Sequence, residues 1–514
     1  MTAASVPPTP EEVHRAKLAW MRSGHGGPLP SNVEWLRTLP EGERARFAGS
    51  VRRKPSRTLS GVAVVAVMTA PARCPHGRCT YCPGGVENRS PQSYTGEEPS
   101  ALRGAQFHYD SAAITRHRIE TLEAIGHPTS KVEVIVMGGT FPSRPRTYQE
   151  TVLRGIFDGL NGSPSPSLGE AQARNEQSVH RMVGLTVETR PDWCDDRVLP
   201  FLLDAGVTRV ELGVECLHDD VLAAVGRAHS AGDVERATRA ARDRGLKVCY
   251  HLMLGLPGMD PARDLADFRR LWEEPAFRPD LLKIYPTLVL PGTPLYEDWS
   301  QGRYQPYDTP TATEVLAEMK RLLPPWVRIQ RIQRDIPARL IAAGVRASNL
   351  REKALARLAA QGIRCRCLRC REVGRRATPP VEAFGLTETE YAAGGGREVF
   401  WAWEDPTTET VAGFLRLRLP SQGNGGALEA PVIRELKVLG TEVPVGMAGG
   451  RPTDYQHRGF GRALLAAAEE RVRSEGFDRI YVMSAVGTRE YYRARGYERV
   501  GPHMAKSVFA GHNA

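Results

Sequence analysis

Three cysteines spaced as C-x4-C-x2-C are the first feature of this sequence that could carry chemistry. Cys74, Cys79 and Cys82 follow a short apolar run, and the next cysteine is Cys194. Thiolates on one loop can converge on an iron–sulfur cluster, and plant-type ferredoxins use this spacing with a fourth cysteine. Three ligands leave one iron of a [4Fe–4S] cluster open to chelate the amino and carboxylate groups of S-adenosylmethionine. A zinc site completed by His76 is the alternative, although zinc usually prefers two C-x2-C pairs.

A second group of cysteines lies in the arginine-rich run R-C-R-C-L-R-C-R. Tight cysteine groups in a chain of cytosolic character favour metal sites over disulfides. We expect a structural zinc ion held by Cys365, Cys367 and Cys370, and a distant His or Cys would have to supply the fourth ligand. Three buried free thiols are the alternative.

A glycine motif near the C-terminus predicts a nucleotide-binding loop. The run Q-H-R-G-F-G, starting at Gln456, matches Q/R-x-x-G-x-G/A, the pyrophosphate loop of GNAT acetyltransferases. Glycines let successive backbone N–H groups face phosphates, and the helix predicted over Gly459–Glu475 adds its dipole. Further on, Tyr491 and Tyr492 precede R-A-R-G-Y. A tyrosine there can bind the sulfur region of CoA and act as a general acid, while core packing is the alternative.

Six β-rich segments predict the frame that positions the first cysteines. Strands and helices alternate, which indicates a parallel sheet with βα crossovers and an active site at the carboxyl ends of the strands. We therefore expect an α/β chain in which a partial (β/α)6 barrel precedes a smaller mixed α/β domain. The predicted strands are Val62–Met68, Val132–Thr140, Met182–Arg190, Arg209–Cys216, Lys247–Gly255 and Leu281–Leu290. The expected domains are a basic helical tRNA-binding segment (1–53), the barrel (54–320), a linker region with the zinc site (321–390) and the acetyltransferase domain (391–514).

Several motifs together resemble one family. The run C-P-H-G-R-C-T-Y-C-P-G-G with Q-S-Y-T-G-E-E-P resembles the radical SAM domain of the catalytic subunit of Elongator. The runs V-I-V-M-G-G-T-F, E-T-R-P-D and L-K-I-Y-P-T-L-V are similar to that family too. The resemblance continues through P-P-W-V-R and Q-R-D-I-P to the C-terminus, and it starts at about Lys54. It implies a radical SAM barrel followed by a GNAT domain, as in the single-chain bacterial and archaeal members.

The resemblance also implies roles for particular residues. The methionine amine would be held at Gly138, Gly139 and Thr140, where radical SAM enzymes have a Gly-Gly-Glu-like turn. Lys131 would act toward acetyl-CoA, and the expected catalytic residues are Lys131, Tyr491 and Tyr492. Without the resemblance, Lys131 would be interpreted as a solvated charge at a strand edge. The acetyl-CoA contacts would be Glu435, Leu436, Lys437, Val438, Gln456, Gly459, Phe460, Gly461, Arg462 and Tyr492. The chain departs from the family pattern at Glu215, usually Gln, and at Leu254–Gly255, usually Pro-Asp.

The activity that the resemblance implies is modification of the wobble uridine of tRNA. A 5′-deoxyadenosyl radical would take hydrogen from the methyl group of acetyl-CoA, and the new carbon radical would add to C5 of the uridine. One-electron oxidation with loss of the C5 proton, and loss of CoA by hydrolysis, would then leave a 5-carboxymethyl group. The cofactors carry this chemistry and the protein positions them. The alternatives are a protein lysine acetyltransferase, a radical SAM oxidoreductase of a small molecule, and a non-catalytic tRNA-binding scaffold.

Charge is consistent with a nucleic-acid partner. The formal net charge is +10 and the pI about 9.2. Basic residues concentrate in 44–57, at Arg328, Arg331, Arg334 and Arg339, and around Cys365. These runs predict an RNA groove for the anticodon loop, although such runs are usually solvated faces. Without an apolar run of ~18 residues or an apolar N-terminal region, we expect a cytoplasmic protein with no membrane contact. The sequence leaves open a homodimer or other protein subunits.

Overall fold

A computed structural model describes residues 8–24, 29–30, 32–40, 43, 47, 57–420, 428–443 and 454–509. The N-terminal part contributes helices α1 (Pro10–Arg22) and α2 (Asn32–Thr38). Thr9 and Glu12 form a capping box at the start of α1, which satisfies two backbone N–H groups there. Most of the predicted basic stretch 44–57 lies outside the described residues, namely Arg44, Arg46, Arg52, Arg53 and Lys54.

Seven parallel strands form the first sheet, in sequence order. Val132, Val134 and Val136 are fully buried on the face that packs against helices, as expected for a sheet with βα crossovers. This confirms the predicted partial barrel and adds a strand to it. The strands are β1 (Ala63–Met68), β2 (Lys131–Met137), β3 (Arg181–Thr189), β4 (Arg209–Glu215), β5 (Lys247–Leu254), β6 (Leu281–Pro286) and β7 (Arg328–Ile332).

Strand β7 lies in the segment for which the sequence predicted a linker. Its sequence R-I-Q-R-I has only two apolar residues, so it carries no clear strand pattern. It pairs with β6 from Leu281 to Ile284 and is therefore part of the barrel.

Helices cover the outer face of this sheet. Asp110 accepts hydrogen bonds from the N–H groups of Ala112 and Ala113, which fixes the start of the helix Ser111–Ala124 between β1 and β2. The barrel helices are α3 (Pro99–Gln106), α4 (Ser111–Ala124), α5 (Arg146–Asn161), α6 (Leu168–Asn175), α7 (Leu199–Asp204), α8 (Asp219–Ala224), α9 (Ala231–Asp243), α10 (Pro261–Glu273), α11 (Pro294–Ser300) and α12 (Thr309–Arg321). Two more, α13 (Leu350–Ala360) and α14 (Leu368–Arg371), follow β7. No described helix is long and apolar enough to span a membrane.

A second sheet of seven strands forms the C-terminal domain, in the order β13-β14-β12-β11-β10-β9-β8. Its first strand starts at Gly385, six residues before the predicted domain boundary at 391. The strands are β8 (Gly385–Ala393), β9 (Gly396–Asp405), β10 (Thr410–Leu419), β11 (Val432–Val438), β12 (Arg479–Val482), β13 (Glu498–Val500) and β14 (His503–Ser507), with helices α15 (Phe460–Ser474) and α16 (Arg489–Arg493).

The central strands β11 and β12 separate soon after they begin to pair. They are parallel, and their pairing is limited to Val432 with Tyr481 and Ile433 with Val482. From Glu435 to Val438, β11 pairs with β10 alone. Within the described strands, one backbone edge of β11 from Glu435 to Lys437 is therefore available to a ligand.

Buried ion pairs join the two domains. Arg434 on β11 binds Asp280 of the barrel at 2.6 Å and Glu398 on β9 at 2.8 Å. Arg242 at the end of α9 reaches the same Glu398 at 2.9 Å. Arg418 binds Asp243 across the domain boundary. The buried charges are paired by opposite charges from the other domain, which fixes the two domains against each other.

Two cavities at opposite ends of the barrel

The loop after β1 carries the first three cysteines. Cys79 and Cys82 are buried and Cys74 is half-buried. Gln92 Nε2 donates to Cys82 Sγ at 3.5 Å, and Arg227 Nη1 donates to Cys79 Sγ at 3.9 Å. Burial raises the pKa of the Cys79 thiol, and the Arg227 guanidinium partly offsets this. The site thus supplies a donor and a positive charge to sulfur atoms that would bind metal as thiolates.

The spacing of these sulfur atoms distinguishes a cluster from a single ion. The Sγ atoms of Cys74, Cys79 and Cys82 do not all lie within 4.8 Å of one another. Two thiolates on one tetrahedral zinc ion, each about 2.3 Å from the metal, lie about 3.8 Å apart. A [4Fe–4S] cluster binds each cysteine through a different iron atom and needs a wider arrangement. The three cysteines therefore fit a cluster, and His76 lies 3.2 Å from Cys79 Sγ as a neighbour.

The cysteines lie beside a cavity of about 100 Å³ at the carboxyl ends of the strands. Gly138 and Gly139 follow β2 with φ of 130° and 94°, values that favour glycine. A Cβ on Gly138 would lie 2.2 Å from Thr69 Oγ1, and one on Gly139 would lie 3.7 Å from Cys74 Sγ. Thr140 Oγ1 is 3.9 Å from the same sulfur. The turn predicted to hold the methionine amine therefore lies against the cysteine loop.

Three charged residues of this cavity had no assigned role in the sequence analysis. Glu188 accepts hydrogen bonds from Tyr94 Oη at 3.1 Å and from the Gly138 N–H at 3.4 Å. Glu215, at the position where the family pattern has Gln, forms an ion pair with Arg227 at 3.6 Å. Glu188 belongs to the E-T-R-P-D run, which was the available signal for it.

A second cavity of about 630 Å³ lies between the N-terminal ends of the barrel strands and the C-terminal domain. Every residue predicted to contact acetyl-CoA lines it, together with Lys131 and Tyr491. These are Glu435, Leu436, Lys437, Val438, Gln456, Gly459, Phe460, Gly461, Arg462 and Tyr492. The barrel adds residues that sequence reasoning missed, including Glu133, Arg209 and Lys247. The two cavities therefore lie at opposite ends of the barrel.

The glycine loop leads into α15 as the motif predicted. Gly459 has a φ of 90°, and no atom lies within 4 Å of a Cβ built there. Helix α15 begins at Phe460, and its first turn lines the cavity with Arg462. The positive N-terminal end of this 15-residue helix, with one guanidinium beside it, suits a phosphate group.

Lys131 ties the barrel to this loop. Its ammonium donates to Gln456 Oε1 at 2.7 Å and to the Val443 carbonyl at 2.9 Å. Gln456 in turn donates to the Val438 carbonyl on β11 at 3.1 Å. Burial lowers the pKa of Lys131. These contacts give Lys131 a positioning role for the loop and the ligand edge of β11.

The two tyrosines both pack and face the cavity. Tyr492 is buried, its ring contacts those of Tyr491 and Tyr497, and burial raises its pKa. The Tyr491 ring lies under the Arg495 guanidinium at 3.6 Å. A hydroxyl with a raised pKa keeps its proton at neutral pH and can donate it to a leaving sulfur.

A column of charged side chains fills the barrel between the cavities. Arg209 pairs with Glu133 and lies 3.4 Å from Glu211, which binds Lys283 and also His251 at 3.0 Å. Arg209 lines the larger cavity and Glu211 the smaller, so one ion pair separates them. The sequence signal was the alternation of charged and apolar residues on β2, β4 and β5, where parallel strands are usually apolar throughout.

The second cysteine group is compact. The Sγ atoms of Cys365, Cys367 and Cys370 lie within 4.8 Å of one another, and Lys320 Nζ is 3.8 Å from Cys370 Sγ. Within the described ranges, no other His, Cys, Asp or Glu joins the three at that distance. The spacing fits three of the four ligands of a tetrahedral zinc ion, and the Lys320 ammonium would balance part of the thiolate charge.

The arginines of the basic stretch 328–339 already have partners within the chain, and their contact with RNA stays a prediction. Each of its four arginines is bonded within the chain. Arg328 binds Glu372 at 3.2 Å, Arg331 pairs with Asp335, Arg334 donates to the Ser93 carbonyl, and Arg339 pairs with Glu97. The charges occur there because β7 and its loop contribute ionic contacts to the barrel.

Comparison with known proteins identifies both domains. Residues 69–270 match the radical SAM superfamily, 279–360 the radical SAM C-terminal domain, and 370–497 the acetyltransferase (GNAT) family. The tRNA uridine(34) acetyltransferase of Methanocaldococcus jannaschii is 46% identical over 488 residues, 93% of this chain and 90% of that protein. Human Elongator complex protein 3 is 43% identical over 497 residues, with the same coverage. The solved structure of Elp3 from Methanocaldococcus infernus, lacking residues 1–46, is 41% identical with a TM-score of 0.76, covering 88% of this chain and 100% of that one.

The fold and the two cavities define an enzyme that joins a radical SAM barrel to a GNAT acyltransferase domain. The radical SAM domain implies S-adenosylmethionine and a [4Fe–4S] cluster, and the GNAT domain implies acetyl-CoA. The chain belongs to the family of Elongator complex protein 3 and the tRNA uridine(34) acetyltransferases, which confirms the resemblance stated from the motifs.

Proposed function

We propose that this protein modifies uridine 34 of tRNA and installs a 5-carboxymethyl group at C5, with acetyl-CoA as the carbon source. The observation that carries the proposal is one chain with a cysteine-lined cavity and a CoA-sized cavity on a common barrel. The names of the relatives supply the nucleic-acid substrate, and the net charge of +10 suits it. An acetyltransferase without radical chemistry would have no use for the first cavity.

The cysteine cavity would hold the cluster and S-adenosylmethionine. Cys74, Cys79 and Cys82 would bind three irons, and the turn from Gly138 to Thr140 would hold the methionine amine. When bound, these groups supply a carbon radical able to remove hydrogen from a methyl group. Because Arg227 and Gln92 donate to the sulfur atoms, they would stabilise the thiolate form and tune the cluster.

The larger cavity would hold acetyl-CoA along β11. The start of α15 and Arg462 would bind the pyrophosphate, and the free edge from Glu435 to Lys437 would pair with the pantetheine amides. Lys131 and Gln456 hold these two elements in register. The buried Tyr492 would donate its proton to sulfur when CoA leaves.

A direct test starts from anaerobically reconstituted protein. Reductant, S-adenosylmethionine, acetyl-CoA and unmodified tRNA are added, and the nucleosides are then weighed by mass spectrometry. We expect 5-carboxymethyluridine as the product, and we expect it to contain ¹³C when the acetyl group of acetyl-CoA is ¹³C-labelled. Cys79→Ala should give no product. Cys194→Ala removes a buried cysteine that packs in a different core cluster from Cys79 and Cys82, and it is the matched control. Binding of tRNA and consumption of acetyl-CoA without a modified uridine would contradict the proposal.

We also propose structural zinc at Cys365, Cys367 and Cys370. The support is the compact spacing of the three sulfur atoms and the cation beside them. The site lies next to β7 and α14, at the junction between barrel and acetyltransferase domain. A bound ion would therefore stabilise the junction and take no part in the reaction.

A further inference from the structure

The barrel wall of the CoA cavity contains an amine that has no partner in the described part of the chain. Lys247 is the first residue of β5 and lies half-buried in the cavity wall. Among the residues that the structure describes, its ammonium has no hydrogen bond or ion pair. An ammonium group has three donors, and leaving them unused in a partly dry site is unfavourable. The position therefore suits an acceptor that arrives with a ligand.

Arg209 adds a second donor at the same level. It pairs with Lys247 in the β4–β5 register, so both residues stand at the N-terminal ends of neighbouring strands. Arg209 is 4% exposed, and its buried Nη2 makes no hydrogen bond in the described part of the chain. Its charge is matched by Glu133 and Glu211. Lys247 and Arg209, which form the floor of the cavity, thus offer N–H donors to a ligand, while the carboxylates beside Arg209 are already paired with it.

The direction of β11 places this floor at the acyl end. Val438 lies beside the pyrophosphate loop, because its Cγ2 would be 3.7 Å from a Cβ on Gly461. Glu435 lies three residues along the strand from Val438, roughly 10 Å away, and faces Lys247. Burial lowers the pKa of Lys247, and the Glu435 carboxylate offsets part of this effect. A ligand that starts at the loop and follows β11 therefore ends at the barrel floor.

We propose that Lys247 binds the carbonyl oxygen of the CoA thioester and holds the acyl group at the N-terminal mouth of the barrel, with Arg209 beside it. This inference rests on the proposed function, since it takes the cavity as the acetyl-CoA site. The acyl methyl group then lies one ion pair, Arg209 with Glu211, from the cysteine cavity. Lys247 acts here as a binding and positioning residue for the thioester.

Two ligands separate a carbonyl contact from general cavity binding. S-ethyl-CoA has the size of acetyl-CoA but lacks the carbonyl oxygen. Dissociation constants for both are measured by calorimetry on the full-length protein, with wild type, Lys247→Met and Lys247→Arg. Lys353→Met, a lysine exposed on α13, is the matched control.

The expected result is a selective loss. Lys247→Met should weaken acetyl-CoA binding about 10-fold or more and change S-ethyl-CoA binding by less than about 2-fold, since one charged hydrogen bond is removed. Lys247→Arg should keep part of the preference, and Lys353→Met all of it. Equal effects on both ligands, or none, would overturn this inference while leaving the proposed function intact. If wild type bound neither ligand, both the inference and the proposed function would fall.

Discussion

Single side chains determine how the thioester is held and released. Lys247 and Tyr492 line one cavity, and the proposal assigns them to different atoms of the thioester. The first would bind the carbonyl oxygen and the second the sulfur. Burial favours the neutral form of both groups, so it lowers the pKa of Lys247 and raises the pKa of Tyr492.

The preference for a carbonyl ligand should depend on pH. Burial lowers the pKa of Lys247 to about 8, against the influence of Glu435; Arg209, Glu133 and Lys437 also face it. The ammonium, the stronger donor, predominates below that value. The ratio of acetyl-CoA to S-ethyl-CoA affinity should therefore be greatest near pH 7 and fall through about pH 8 to 9. Lys247→Met should show a flat ratio, and a flat wild-type ratio would refute the assignment.

Tyr492→Phe should slow CoA release with little effect on binding. The ring contacts with Tyr491 and Tyr497 are kept and the proton donor is lost. General acids typically contribute about 100-fold or more to rate. We expect a loss of that order in thiol release, measured with a thiol reagent, and acetyl-CoA affinity within about 3-fold. Tyr481→Phe, outside the cavity on β12, should leave both unchanged. A normal rate in Tyr492→Phe would assign the residue to packing alone.

At the scale of elements, turns and strand ends create the sites. The turn after β2 needs glycine at both positions because it passes close to Thr69 and the cysteine loop. The early separation of β11 from β12 exposes the backbone edge for the CoA arm. Both features are properties of the backbone conformation and not of individual side chains.

Gly138→Ala should weaken S-adenosylmethionine binding and spare the cluster. The added Cβ would lie 2.2 Å from Thr69 Oγ1, so the turn has to move. We expect binding weaker by about 10-fold or more, with cluster absorbance unchanged because the cysteines remain. Gly162→Ala is the matched control: its φ is also positive, 78°, but nothing lies within 4 Å. Wild-type affinity in Gly138→Ala would show that the turn does not hold this ligand.

Zinc analysis tests the second cysteine group. Elemental analysis of the purified protein should give one zinc per chain, lost in Cys367→Ser and retained in Cys194→Ser. Cys194 is also buried but stands alone among the described cysteines. Chelation should lower the thermal midpoint of the wild type and leave Cys367→Ser unchanged. If the wild type, prepared without chelator, contained no zinc, the zinc proposal would be wrong and the three cysteines would be free thiols.

The sequence predicted elements wherever one physical signal dominated. Apolar runs located β1 to β6, and the glycine motif located the start of α15. Strand β7 was missed because its arginines form ion pairs inside the fold, which pattern analysis reads as solvent exposure. Lys247 was missed for a related reason: only the register with Arg209 and the docking of a second domain show that it faces a cavity.

At the scale of the whole molecule, the domain boundary is ionic and buried. Four arginines, at positions 242, 416, 418 and 434, meet carboxylates of Asp243, Asp280, Glu398 and Glu435. The guanidinium groups of Arg242, Arg434 and Arg416 hold the pKa of the Asp280 carboxyl well below its usual value, so this carboxyl stays ionised. Charges this deep are stable only while both domains are in place.

Asp280→Asn should therefore destabilise both domains together. Removing one partner from a buried network costs about 3–5 kcal/mol. We expect a single calorimetric transition at a lower temperature, with both domains unfolding in it. Asp298→Asn breaks the exposed pair with Arg303 and should cost less than about 1 kcal/mol. Two separated transitions in Asp280→Asn, with the barrel unaffected, would show that the network does not couple the domains.

Both domains contribute residues to the CoA cavity, and this has a consequence for how the two domains can change. In most (β/α) barrels the carboxyl ends of the strands carry chemistry and the opposite ends only stability. Here the opposite ends supply Lys131, Arg209 and Lys247 to a pocket whose other wall belongs to a different fold. A gene fragment encoding only residues 385–514 would produce an acetyltransferase domain whose pocket is open on one side. Exchanging either domain for a homologue would therefore change the lining of the CoA pocket as well.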